Sequence, residues 1–179
     1  MKQFRAVQVS TYTVLAIGPE VLFEETDWLA GACGSAILNF MFEEHIKSRF
    51  SKHPLWEEKH MKAAVSRFEE IKKRFSVDTE ITYSFPAPGL PDSPEFGIFE
   101  DEFEIEERII LDIFEHVTGK VVKIIEDQVT QMMKNKRTKR ITGIVLRGGF
   151  SESRYLQKKL QKYAEALGGN IQILKPSHK

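Results

Sequence analysis

The chain has 179 residues, 41% of them hydrophobic and 29% charged, and its 26 basic side chains balance 26 acidic ones. This composition describes one globular domain, or two small lobes, with enough apolar material for a core. It leaves no net field to draw nucleic acid or a membrane surface. Cys33 is the only cysteine, which excludes an internal disulfide and points to a reducing, cytoplasmic setting. No apolar run approaches a membrane span, and Val14 to Ile17 is too short for a signal-peptide core.

In chain order, Ala6 to Ile17 and Glu20 to Glu25 read as two extended segments around a turn at Gly18-Pro19. Gly31-Ala32-Cys33-Gly34-Ser35 reads as a flexible loop, with Ser35 placed to cap the helix that follows. Leu38, Phe42, Ile46 and Phe50 form an i+4 row there. Ile37, Phe40 and Met41 widen it, so the first half of the helix is expected to be buried. A second helix is expected from Glu57 to Ser76, with Met61, Ala64, Val65, Phe68, Ile71 and Phe75 on one face. Thr79 to Phe85 reads as a strand, Pro86 to Pro94 as a proline-rich loop or hairpin excursion, and Phe103 to Ile105 as a short strand. A long helix follows on Ile110, Ile113, Phe114, Val117, Val121, Ile124, Ile125, Val129 and Met132, slightly weakened by Gly119.

The most informative stretch comes last. Ile141 to Leu146 is apolar and β-branched, and reads as a buried strand. Gly148-Gly149 ends it, and a helix starts at once with Ser151 as N-cap and Glu152 on the first turn. Leu156, Leu160, Tyr163 and Leu167 recur at helical spacing until Gly168-Gly169. A strand–glycine–helix unit puts backbone without Cβ atoms at the carboxyl end of a strand, where α/β sheets bind ligands. The alternative is an ordinary tight turn between strand and helix.

This order of elements resembles the second lobe of the actin-like ATPase superfamily, and within it the seventy-kilodalton heat-shock chaperones of the DnaK type, above all their divergent fungal relatives. Four stretches carry the resemblance: Ala30 to Asn39 (AGACGSAILN), Glu69 to Ser76 (EEIKKRFS), Ile113 to Val117 (IFEHV) and Val145 to Ser153 (VLRGGFSES). It spans roughly residues 7 to 176. The resemblance implies an α/β (or α+β) fold with a mixed sheet, flanking helices and a small outer subdomain. It places that subdomain at about 36–105 and the inner one at 1–35 and 106–179, the whole being a single lobe truncated at both ends.

The resemblance also implies an adenosine site, with ATP, ADP or adenosine as ligand. Glu69 and Lys72 fall where the family binds the ribose hydroxyls, Lys73 where a cation covers the adenine, and Ser76 where a side chain meets the base edge. Gly148, Gly149 and Phe150 belong to the adenosine motif. Glu152 stands where the family has a second cation, and Arg154 is its substitute two residues on. On a helix Glu69, Lys72, Lys73 and Ser76 share about one quadrant beside the apolar face. The alternative is a solvated face with an i,i+4 pair of Glu69 and Lys73.

Departures from the family point away from catalysis. Met1 to Ala6 replaces the aspartate and glycines of the second phosphate loop, and Gln8 stands where an acidic residue is usual. The first phosphate loop and the catalytic lysine belong to a lobe outside this sequence. Phosphoryl transfer needs a cradled triphosphate, a metal and a positioned water. The expectation is therefore weak adenosine binding, no hydrolysis, no catalytic residue and no metal ligand. The alternatives are a protein-interaction module, with its partner at the outer subdomain, or a non-functional fragment of a larger chaperone-like ATPase. Cys33 has no activating partner at a useful spacing, and His45, His53 and His60 lack a zinc spacing. The basic run Lys134, Lys136, Arg137, Lys139 and Arg140 suits a helix C-terminus better than a nucleic-acid patch.

Overall fold

A computed structural model describes residues 7–16, 22–31, 34–77, 81–134, 141–168 and 170–175. Among these the chain is a mixed α/β fold, as expected, with four α-helices and seven strands. The strands form three separate sheets, not one mixed sheet: two antiparallel strands, three antiparallel strands, and two parallel strands.

β1 (Val7–Ala16) and β2 (Leu22–Gly31) pair antiparallel from Val7 opposite Gly31 to Ala16 opposite Leu22, with register shifts after Thr11 and Val14. β2 continues past the expected end at Glu25, because cross-strand pairing with β1 carries Thr26 to Gly31 along. The turn at Gly18-Pro19 lies outside the described residues, as do Cys33 and the phosphate-loop replacement Met1 to Ala6.

α1 (Ser35–Phe50) buries Leu38, Phe42, Ile46 and Phe50, the i+4 row read from the sequence. Two expectations fail here. Gly34 occupies the N-cap and Ser35 is the first helical residue, so no side chain caps the helix. Phe40 is 40% exposed, because at 100° per residue it points away from the row.

α2 (Glu58–Arg74) opens with the Glu57 amide donating to His60 Nδ1 at 2.9 Å. It buries Ala64, Phe68 and Ile71, together with His60 and Lys72, while Met61 and Val65 are partly covered. β3 (Thr82–Pro86), β4 (Ile98–Phe99) and β5 (Glu102–Glu106) make the three-stranded sheet in the order β3-β5-β4. The excursion between β3 and β4 contains a short 3-10 turn, Pro94–Phe96. It is tied down by Asp101, whose carboxylate accepts from the Gly89 amide, and by Asp92, which accepts from the Glu100 amide, each at 2.9 Å. Arg49 of α1 donates to the carbonyls of Glu104 and Phe96 at 2.6 and 2.9 Å, fastening helix to sheet.

α3 (Glu107–Lys134) runs as expected through its apolar stripe and touches α1, α4, β1, β2 and β5. Gly119 is accommodated on its exposed side. The basic run beyond Lys134, from Lys136 to Arg140, lies outside the described residues. β6 (Gly143–Val145) and β7 (Gln172–Leu174) pair in parallel across α4 (Arg154–Ala166). β6 is not the buried strand its composition predicts: Val145 is 58% exposed, since a two-stranded sheet covers few of its own side chains.

The core is aromatic. Phe42 stacks on Phe68 with centroids 4.2 Å apart and on Phe85 at 5.1 Å. Phe75 stacks on Phe114 at 4.4 Å and meets Tyr155 of α4 at 5.4 Å. Phe50 stacks face to face with Trp56 at 4.0 Å and meets Phe103 edge-on at 4.9 Å. With Phe68 edge-on to Phe114 at 6.5 Å and Phe85 stacked on Phe103 at 5.5 Å, these contacts join α1, α2, the three-stranded sheet, α3 and α4 in one continuous network.

Candidate functional site

Two segments bear the residues expected to meet adenosine: the last turns of α2 and the turn between β6 and α4. On α2, Lys72 is only 8% exposed. Its ammonium donates to Glu69 Oε1 and to Asn39 Oδ1, both at 2.6 Å. Asn39 Nδ2 in turn donates to the same Glu69 oxygen at 2.5 Å. Lys72 Nζ also lies 5.7 Å from the Phe68 ring centroid, within range of a cation–π attraction. Burial pushes the Lys72 pKa down, and Glu69 offsets only part of that shift. At Glu69 burial pushes the other way, but hydrogen bonds from Lys72 and Asn39 and the charges of Lys72 and Lys73 outweigh it, so its carboxyl lies below the usual value. The pair therefore runs between i and i+3, Glu69 to Lys72, whereas the solvated-face alternative joined Glu69 to Lys73. Lys73 is exposed on the neighbouring side of the helix.

Ser76 follows the end of α2, and its hydroxyl accepts from Lys158 Nζ of α4 at 2.6 Å. Arg154 is exposed on the first turn of α4, four residues before Lys158 and on the same helix face. The structure thus brings Ser76 and the Arg154 face of α4 into one neighbourhood.

The turn before α4 differs from its sequence reading in one respect. Residues Gly149–Glu152 form a 3-10 turn, so Ser151 is not the N-cap of the helix; its hydroxyl donates to the Gly148 carbonyl at 2.6 Å. Ser153 caps α4 instead, accepting from the Leu156 amide at 3.3 Å. The extra turn is what moves the cap two residues on. Gly148 sits at φ 86°, a left-handed conformation that favours glycine. A Cβ built on Gly148 or Gly149 meets no atom within 4 Å, so both face open space. Phe150 is half-buried and packs on the core, and Glu152 forms a 3.6 Å ion pair with Lys175.

Asn39 and Lys158 are absent from the residues expected at the site. Asn39 had a signal: it is the lone polar group among Ile37, Leu38, Phe40 and Met41. Lys158 had none beyond its i,i+4 spacing from Arg154.

A depression of about 320 Å³ is lined by Asp127, Thr130, Gln131 and Lys134, all on α3, and none of the expected site residues borders it. Among the described residues no cluster of three or more His, Cys, Asp and Glu is arranged to hold a metal ion, and no helix is long and apolar enough to cross a membrane. His53 and His60 are buried among Phe50, Trp56 and Phe96. His45, whose pKa burial and Arg49 lower, stands apart on α1.

No protein-family model matches the chain, and no curated protein matches it.

Proposed function

We propose that this chain is a degenerate nucleotide-binding lobe, of the kind found in heat-shock chaperones, that recognises the nucleoside half of an adenine nucleotide and does not hydrolyse it. The hydrogen bond between Lys158 and Ser76 carries the reading. It ties the end of the helix bearing Glu69, Lys72 and Lys73 to the helix that follows the open Gly148-Gly149 turn. Those are the two segments that a base and ribose would need on either side. Two glycines with free space beyond their α-carbons let a sugar approach the main chain. A pair of polar groups on α2 supplies donors and acceptors for its hydroxyls.

The same residues offer little to phosphates. The first turn of α4 is worth at most about 1 kcal/mol to an anion at an exposed site. Adenosine, ADP and ATP are therefore expected to bind weakly, within about tenfold of one another, 1.4 kcal/mol being a factor of ten. Binding should not respond to magnesium, because no carboxylate is placed by the reading to hold the ion against a phosphate. Calorimetric titration of all three ligands with and without magnesium, alongside a phosphate-release assay, tests this. Magnesium-dependent ATP binding about a hundredfold tighter than adenosine (about 2.7 kcal/mol) would overturn it. Turnover would do the same. No binding by any of the three would leave the protein-interaction module and the non-functional fragment as the surviving alternatives.

A further inference from the structure

We propose that Ser76 is a phosphorylation site. A protein kinase that selects serines by the basic side chains just before them modifies Oγ, and Lys158 and Arg154 of α4 hold the phosphate. Ser76 has this role whether or not a nucleoside binds. The sequence supplies the recognition pattern: in Lys73-Arg74-Phe75-Ser76 two cations stand three and two positions before the hydroxyl. Charge placed in that way is what an acidic substrate cleft discriminates by. Both cations are exposed on the last turn of α2. Residues 75–77 are neither helix nor strand; Phe75 is extended and buried, while Val77 is exposed. The segment is thus anchored by one ring and by the bond from the Phe75 amide to the Ile71 carbonyl at 2.8 Å. A kinase needs to open only this final turn, the part of a helix that opens at least cost.

The fold supplies the receiver. Lys158 Nζ already lies 2.6 Å from Ser76 Oγ, and Arg154 is exposed one turn earlier on the same face of α4. In the transfer, the bond from the γ-phosphorus of ATP to its bridging oxygen breaks and the bond from that phosphorus to Ser76 Oγ forms. The hydroxyl proton passes to the kinase's base, and ADP leaves. The product carries about −1.5 to −2 charges and three strong acceptor oxygens. The C-terminal end of α2 repels such a group, but solvent screens that end and Lys73 and Arg74 flank it. The ammonium and guanidinium across the gap donate charge-assisted hydrogen bonds, which are the stronger effect. Phosphorylation therefore tightens the joint between α2 and α4.

The test treats the full chain, native and heat-unfolded, with ATP and the catalytic subunit of a serine/threonine kinase that requires basic residues before its target. Mass spectrometry locates the phosphate. Thr142, exposed after Lys139-Arg140-Ile141, carries the same pattern and serves as an internal reference. Ser76 is expected to be modified in the native chain. The double variant Lys73→Ala, Arg74→Ala should slow that modification by about tenfold with the helical spectrum retained. Once phosphorylated, the chain should unfold at higher urea concentration than before. It should also resist a phosphatase, and Lys158→Ala and Arg154→Ala should each speed the removal by about fivefold. Modification of Ser76 only after heat unfolding would overturn the proposal, as would modification of the native chain at Thr142 alone or of Ser76 in neither state. Equal phosphatase rates in the parent and both variants would overturn the receiver on α4.

Discussion

Glu69 and Glu115 couple the stability of the molecule to acid. Both carboxyls are held below the ordinary value of 4.5: burial pushes each upward, but Lys72 and Asn39 in one case, and Lys159 and Tyr155 in the other, prevail. Glu115 is anchored by Lys159 Nζ at 2.5 Å and by the Tyr155 hydroxyl. A depressed carboxylate contributes stability that is fully present above its unfolded pKa and is lost as pH falls through its folded one. The melting temperature should therefore fall as pH drops below about 4.5, and the double variant Glu69→Gln, Glu115→Gln should lose less over the same interval. Equal slopes for both proteins would assign the acid limb to other groups. Lys72 works in the opposite sense. Its lowered pKa means that the unfolded chain holds the proton longer, so its contribution improves as pH rises toward 10.5. Among apolar residues Phe42 is fully buried and stacks on both Phe68 and Phe85. Phe42→Ala should cost about 3–5 kcal/mol in urea unfolding; a loss under about 1 kcal/mol would mean that the stack relaxes into the space.

At the scale of elements, the start of α4 separates two serines that look equivalent in the sequence. Ser153→Ala removes the cap on Leu156 and should cost about 1 kcal/mol of stability. Ser151→Ala removes one bond within the 3-10 turn and should cost less. The reverse order in chemical denaturation would restore Ser151 as the cap. The helices were legible because their evidence is periodic and redundant: Leu38, Phe42, Ile46 and Phe50, or Ile110 through Met132, repeat one signal over several turns. β4 was not legible. Its hairpin to β5 turns on Glu100 and Asp101, both at positive φ (49° and 61°), with Phe99 paired to Glu102 across them. Such two-residue turns usually announce themselves with Asn-Gly or Asp-Gly, and this one has no glycine. It is held by the neighbouring carboxylates of Asp92 and Asp101. The expected site was legible only as two separate motifs. The tertiary contact from Ser76 to Lys158 spans 82 positions and leaves no local trace.

For the whole molecule, α3 is the element that makes the parts interdependent, because it packs against the β1-β2 hairpin, the three-stranded sheet, α1 and α4 alike. A chain organised around one such beam should unfold in a single cooperative step. The face-to-face stack of Trp56 on Phe50 at 4.0 Å supplies the means to see whether it does. The chain has two tryptophans, and the second, Trp28, lies on β2 in the hairpin. In Trp28→Phe, all indole emission comes from one ring held between Phe50, His60 and Phe103, so its colour reports water reaching that cluster and nothing else. Cooperative unfolding makes the red shift of that emission coincide with the loss of helical ellipticity across a denaturant series. If the emission shifts only after most ellipticity has gone, the aromatic cluster outlasts α3. The sequence therefore carries its own optical probe, set in a ring cluster that none of the residues expected to meet a nucleoside joins.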